Sequence, residues 1–138
     1  VIVLSQKGDE FIQINDYAGL GYKQPLLAIA MTLFMLSMAG IPPMAGFVGK
    51  FYIFSAAMKS GYVGLAVIGV INSVISVYYY LRITVIMYMK EPTRDFSPLT
   101  ISPLIVAAIV ISVIGTLQLG IFPSKVMEIA QHSILSLK

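Results

Sequence analysis

The stretch AGIPPMAGFVGKFYIF, residues 39–54, decides how this chain is read. It sets two adjacent prolines among glycines in a strongly apolar run, and a lysine follows within two helical turns. Pro42 and Pro43 bring no N–H, so the carbonyls of Met38 and Ala39 lose the partners that a continuous helix would give them, and Ile41 is pushed out of the α region. One helix therefore stops or breaks here and another begins. Pro43 suits the first turn of the new helix, which puts Lys50 seven residues in, or about 10 Å along the axis. The far end of that helix, near Met58, is about 12 Å away by the same rise. Gly40 belongs to the break with the two prolines, and Gly46 and Gly49, with Ala45, keep the surrounding helix surface small, so that neighbouring helices pack closely or water approaches the amine.

Composition fixes the solvent. The chain has 138 residues, 58% hydrophobic and 11% charged, with a mean hydropathy of +0.90, far from the mix of a soluble domain and suited to a bilayer. The net charge of +3 is spread among connectors, which reads as lysines and arginines flanking a membrane and not as a nucleic-acid footprint. The absence of cysteine excludes a disulfide framework and a thiolate metal site. A lone histidine, His132, makes no metal cluster by itself.

The expected fold is an all-α membrane protein with four transmembrane helices, at about residues 25–41, 43–58, 62–89 and 103–122. The first is short, and the third is long enough to tilt or to project beyond the hydrocarbon. An alternating barrel pattern is absent, and no internal repeat is visible. Residues 1–24 are read as the end of a preceding helix, VIVL, followed by a surface connector carrying Lys7, Asp9, Glu10, Asp16 and Lys23. No charged region precedes VIVL and no cleavage pattern follows it, so the chain is expected to be a piece of something longer. KEPTRDFSP, residues 90–98, is a polar loop with Lys90, Glu91, Arg94 and Asp95. Residues 123–138 form a C-terminal tail in which His132 is solvated or faces a partner. With four spans, Lys7, Lys23, Lys59, Lys125 and Lys138 fall on one side and Arg82, Lys90 and Arg94 on the other, a split that does not fix orientation.

Two readings of Lys50 stand side by side. A lysine at mid-membrane depth costs about 2.5–3.5 kcal/mol on insertion scales. It is either a snorkelling anchor in a tilted or re-entrant segment, or an ionisable relay group facing protein or water. Desolvated amines lose and regain a proton within reach of neutral pH, which a guanidinium cannot do. The third helix repeats a polar residue every four positions, at Asn72, Ser76, Tyr80 and Thr84, with Ser73 and Tyr79 beside them. That stripe serves hydrogen bonding between packed helices, or holds water along a proton path. Gly69 and Ser73 form a small-xxx-small pair on nearly the same side, and Arg82 after YYYL marks an interface.

These residues carry a resemblance. LSMAGIPPMAGFVGKFYIFSAAMKSG followed by IGVINSVISVYYYLRITVIMY resembles the C-terminal part of the subunit N family of NADH:quinone oxidoreductase, respiratory complex I, the counterpart of subunit 2 in organelles. The upstream YAGLGYKQPLLAIAM fits the loop and helix that precede the motif. The likeness is strong over residues 16–88 and weak after residue 90. The GIPP, GF and GK core is shared with related antiporter-like subunits, and SVISVYYYLR favours subunit N.

The resemblance implies a bundle of about fourteen helices built from two inverted repeats, each with a broken helix, of which this chain would supply roughly the eleventh to the fourteenth. Lys50 matches the lysine that the family places on the second broken helix and assigns to the outer half of a proton channel; the partner glutamate and the other channel lysines would lie on earlier helices. It implies no cofactor in this chain, with NADH, FMN, iron–sulfur clusters and quinone held by other subunits. The implied partners are the other membrane subunits of complex I, the N-terminal helices of the same subunit, the lipid bilayer and protons, with no nucleic acid. The implied location is the bacterial plasma (inner) membrane, as a multi-pass protein, in preference to an organelle membrane, with the Lys90–Pro98 loop on the cytoplasmic side. A subunit of a multisubunit Na⁺/H⁺ antiporter is the alternative, and a structural membrane anchor is a third.

Overall fold

The computed structural model describes residues 13–92, 101–124, 126, 128 and 129. The expectations for residues 1–4, for Lys7, Asp9, Glu10, Arg94, Asp95, Lys125 and Lys138, and for His132 lie outside these. All the regular elements among the described residues are helical: a 3-10 turn at Ile14–Tyr17, then α1 (Leu20–Lys23), α2 (Pro25–Ala39), α3 (Ala45–Lys59), α4 (Val63–Met89) and α5 (Pro103–Ile121).

The ends of these helices follow local chemistry. Pro25 and Pro103 stand in the first turns of α2 and α5, where a missing N–H costs nothing and the fixed φ helps. Gly40 ends α2 two residues before the expected boundary, because its φ of 88° is a left-handed conformation that glycine adopts without a β-carbon penalty. The second helix also starts later than Pro43. Both prolines lie in the intervening turn, joined by a cis bond, and Met44 is extended at φ −110°, ψ 158° before the helix begins. Lys50 is accordingly one turn and a half into α3, not two.

Among the described residues two helices are long and apolar enough to cross a membrane by length and composition, α4 with 27 residues and α5 with 19. The helices on either side of the break, α2 and α3, have 15 residues each, about 22 Å apiece. Much of the apolar surface of α4 and α5 is open, including Val67, Ile71, Val74 and Ile75 on α4 and Ile111 and Ile114 on α5. Such a surface belongs against lipid or other helices and not against water.

Packing is organised around the break: α2 lies against α4, α3 against both α4 and α5, and α2 against α3 and α5. The best-buried apolar cluster is elsewhere, at the other end of α2, where Tyr17, Leu20, Leu27, Ala28 and Met87 meet. Over its described part, residues 13–24, this corrects the reading of the segment as a surface connector, since Asp16, Tyr17, Ala18 and Leu20 are buried. The segment folds back under the end of α4, with Gly19 at φ +75° placed so that a β-carbon would meet Pro92 at 2.7 Å. Lys90 Nζ donates to Asn15 Oδ1 at 3.2 Å and ties the same corner. Burial, and then the neighbouring Asp16 carboxylate, pushes the Tyr17 phenol above its ordinary value.

Candidate functional site

A helix ends with four carbonyls that lack an intrahelical donor. At the end of α2 each of the four has a partner. The Gly40 N–H donates to the Leu36 and Ser37 carbonyls at 3.1 and 3.0 Å, and the Ile41 N–H donates to Leu36 at 3.2 Å, the paired pattern that a left-handed glycine allows. That leaves Met38 and Ala39, whose usual donors would have been Pro42 and Pro43. Lys50 supplies them instead: its Nζ donates to the Met38 carbonyl at 2.8 Å and to the Ala39 carbonyl at 3.2 Å. The amine therefore sits at the negative end of the α2 dipole, where a cation is favoured.

The start of α3 is served from the opposite side of the break. The Gly46 N–H, in the first turn of α3, donates to the Ser37 Oγ at 3.2 Å, while Phe47 and Val48 donate to the Met44 carbonyl. Each helix thus covers the open end of the other: α3 sends a lysine to the carbonyls of α2, and α2 sends a hydroxyl to an N–H of α3. The close approach depends on glycine. A β-carbon on Gly46 would fall on the Ser37 carbonyl group, 2.7 Å from its carbon. On the far side α5 closes on the turn through Gly120, where a β-carbon would come within 2.5 Å of Met44 Cα.

Beside the lysine is a cavity of about 290 Å³, walled by Phe47, Phe51 and Phe54 from α3 and by Val70, Val74 and Val77 from α4. Its polar lining groups are Lys50 and Ser73. Of the stripe singled out on the third helix, Ser73 alone shares this cavity. Asn72 and Tyr79 are exposed, and Ser76 and Tyr80 are half-buried elsewhere on α4. The Ser76 hydroxyl donates to the Asn72 carbonyl of its own helix at 2.8 Å, so that bond serves neither a neighbouring helix nor the cavity. Tyr79 packs edge-on against Tyr78, ring centroids 5.6 Å apart. Of the small-xxx-small pair, Gly69 receives the Phe54 ring, whose edge would lie 2.5 Å from a β-carbon.

The five residues assigned to the break part company in the same way. Gly40, Pro42, Pro43 and Gly46 form it; Gly49 lies inside α3 with open space over its Cα. Sequence reasoning missed Ser37 and Gly120. Ser37 stood in a run of apolar residues as an ordinary helix serine, and Gly120 is more than 70 residues from Pro43 and Met44, which it touches.

Gly40→Ala and Gly49→Ala are expected to separate. At Gly40 a side chain meets both the left-handed backbone and the lysine, with a β-carbon 3.2 Å from Lys50 Cδ and 3.4 Å from Nζ, so a loss of about 1–2 kcal/mol is expected. At Gly49 the exchange gains about 0.5–1 kcal/mol of helix propensity. Thermal unfolding of the full-length protein carrying each change measures the difference in sign.

The break thus joins two short helices through a left-handed glycine and a proline turn, with a lysine of the second docked on the end of the first. Residues 1–76 match the family model described as NADH:quinone oxidoreductase/Mrp antiporter, transmembrane, and the chain belongs to that family. It is 48% identical over 134 residues to NADH-quinone oxidoreductase subunit N of Trichlorobacter lovleyi, covering 97% of this chain and 28% of the relative. It is 46% identical over 139 residues to subunit N 1 of Solibacter usitatus, covering 100% of this chain and 29% of the relative. The fold is that of a chain in respiratory complex I from Thermus thermophilus with bound aureothin, at a TM-score of 0.72 and 34% identity over 80% of this chain and 25% of that one. The chain thus spans less than a third of the length of the relatives it matches.

Proposed function

We propose that the chain is part of the proton path of a proton-pumping NADH:quinone oxidoreductase and that Lys50 is its relay. The observation that carries the reading is the position of the amine, docked on two helix-end carbonyls at one edge of a cavity with Ser73 in its wall. A group held there exchanges one set of partners for another with little motion: carbonyls on one side, cavity water on the other. Lys50 takes a proton from the hydrated space between helices, and electrostatic changes relayed from quinone reduction alter its affinity so that the proton leaves on the other side. Moving one charge against 100 mV costs about 2.3 kcal/mol, which an affinity change of roughly fiftyfold offsets. The chain itself does no redox chemistry. NADH, FMN, iron–sulfur clusters and quinone belong to other subunits, and the assembly sits in the bacterial inner membrane with the earlier helices of the same subunit beside this segment.

The test is Lys50→Ala and Lys50→Arg in the intact complex, with NADH-driven quinone reduction and proton translocation measured together. Translocation through this subunit is expected to fall roughly a hundredfold or more in both, at the low end of what a positioned proton-transfer group supplies. Full stoichiometry in both variants would show that Lys50 carries no proton. The family description also spans Mrp antiporters, so a second reading is a subunit of a multisubunit Na⁺/H⁺ antiporter. It predicts sodium-linked transport that persists with no NADH present, whereas the first predicts none.

A further inference from the structure

We infer that Ser37 is the positioning residue for Lys50, a role that rests on the relay reading above. Ser37 is buried, 8% exposed, on the last turn of α2. It has two contacts at the break: its carbonyl accepts the Gly40 N–H at 3.0 Å, and its Oγ accepts the Gly46 N–H at 3.2 Å. The first fixes the glycine that ends α2. The second fixes the first turn of α3 against the same helix.

Lys50 is four residues, about one turn, beyond Gly46 on α3, so whatever sets the start of α3 sets where the amine lands. With Gly46 tied to Ser37, the amine reaches the carbonyls of the two residues that follow Ser37, Met38 and Ala39. The serine and the lysine therefore act on one short piece of backbone from opposite directions. Removing the hydroxyl orphans the Gly46 N–H at a helix start, where side-chain oxygens hold the first turn, and it lets α3 shift while leaving the lysine itself intact. Gly120 presses the turn from the side of α5 without a polar group, so it limits the space open to the turn but does not set the register of α3 on α2.

The test is a set of variants of the full-length subunit in the assembled oxidoreductase: Ser37→Ala, Ser37→Cys, Lys50→Ala and the double variant Ser37→Ala/Lys50→Ala. Proton translocation per NADH oxidised is measured, with the amount of assembled complex as the control. Ser37→Ala is expected to lower translocation about fivefold, the scale on which a helix-start hydroxyl shifts a local equilibrium. Ser37→Cys keeps the volume with a weak acceptor; it is expected to show the same loss, and it decides the matter if the alanine variant fails to assemble. Adding Ser37→Ala to Lys50→Ala is expected to change nothing further, because the serine acts through the lysine. Translocation at the unaltered level in Ser37→Cys, or losses that multiply in the double variant, would overturn the positioning role while leaving the relay standing. Unaltered translocation in Lys50→Ala would overturn the relay and the positioning role together.

Discussion

Gly46→Ala is expected to pry α2 and α3 apart and to cost about 3 kcal/mol or more, at the upper end of what overpacking costs. The β-carbon would land on the Ser37 carbonyl group, with the Ser37 Oγ 3.2 Å away. Backbone offers no rotamer to relieve such a contact, so a whole helix must move. The movement stretches the Gly46 N–H bond to Ser37 and carries Lys50 away from Met38 and Ala39. One small substitution thus breaks both halves of the reciprocal cap. Heat stability of the full-length subunit in its assembly measures the loss, with Gly49→Ala as the control in the same helix, where the added methyl meets open space. Equal stability for the two variants would show that α2 and α3 are not in backbone contact.

Gly120→Ala is expected to act on the same turn from outside. Its β-carbon would meet Met44 Cα at 2.5 Å and the Met44 carbonyl carbon at 2.6 Å, with the Pro43 carbonyl alongside. The last turn of α5 must then lift from the break, again at about 3 kcal/mol. A second readout follows from burial. Met44 is 7% exposed, and a lifted α5 opens it, so its oxidation by peroxide is expected to quicken along with the loss of heat stability. A stable variant whose Met44 stays protected would mean that α5 does not bear on the turn.

Both predictions concern a site that the sequence showed in outline. The break was legible because proline chemistry is local: Pro42 and Pro43 remove two named donors, and counting back four residues names Met38 and Ala39 as the carbonyls that lose them. Lys50 was legible as a lone cation inside an apolar run. Its link to those carbonyls was not, since it requires the two helices to fold back on each other across the turn. The buried connector was misread for a related reason. Charges at Asp16 and Lys23 look solvated in a linear string, but Tyr17 and Leu20 between them close a corner with Leu27 and Met87.

The polar stripe on the third helix marks the limit of periodicity. Asn72, Ser76 and Tyr80 do recur every four residues, but the face of α4 that meets Lys50 is set by Val70, Ser73, Val74 and Val77, about 150° around the helix from Asn72. A period names the residues that share a face; which face meets a neighbour depends on how α4 rotates to pack Phe54 onto Gly69.

By itself, then, the sequence determined the solvent, the helices and the break, because hydropathy, proline and glycine act within a few residues of their own positions. The tertiary structure alone decided how the broken ends are satisfied: Lys50 on the carbonyls of α2, Ser37 on the first turn of α3, Gly120 against the turn. Those partners are 9 to 12 residues apart within the motif, or on a separate helix in the case of Gly120. Unmet backbone groups inside an apolar fold must find donors and acceptors somewhere, and only the packing of the helices sets which side chains reach them.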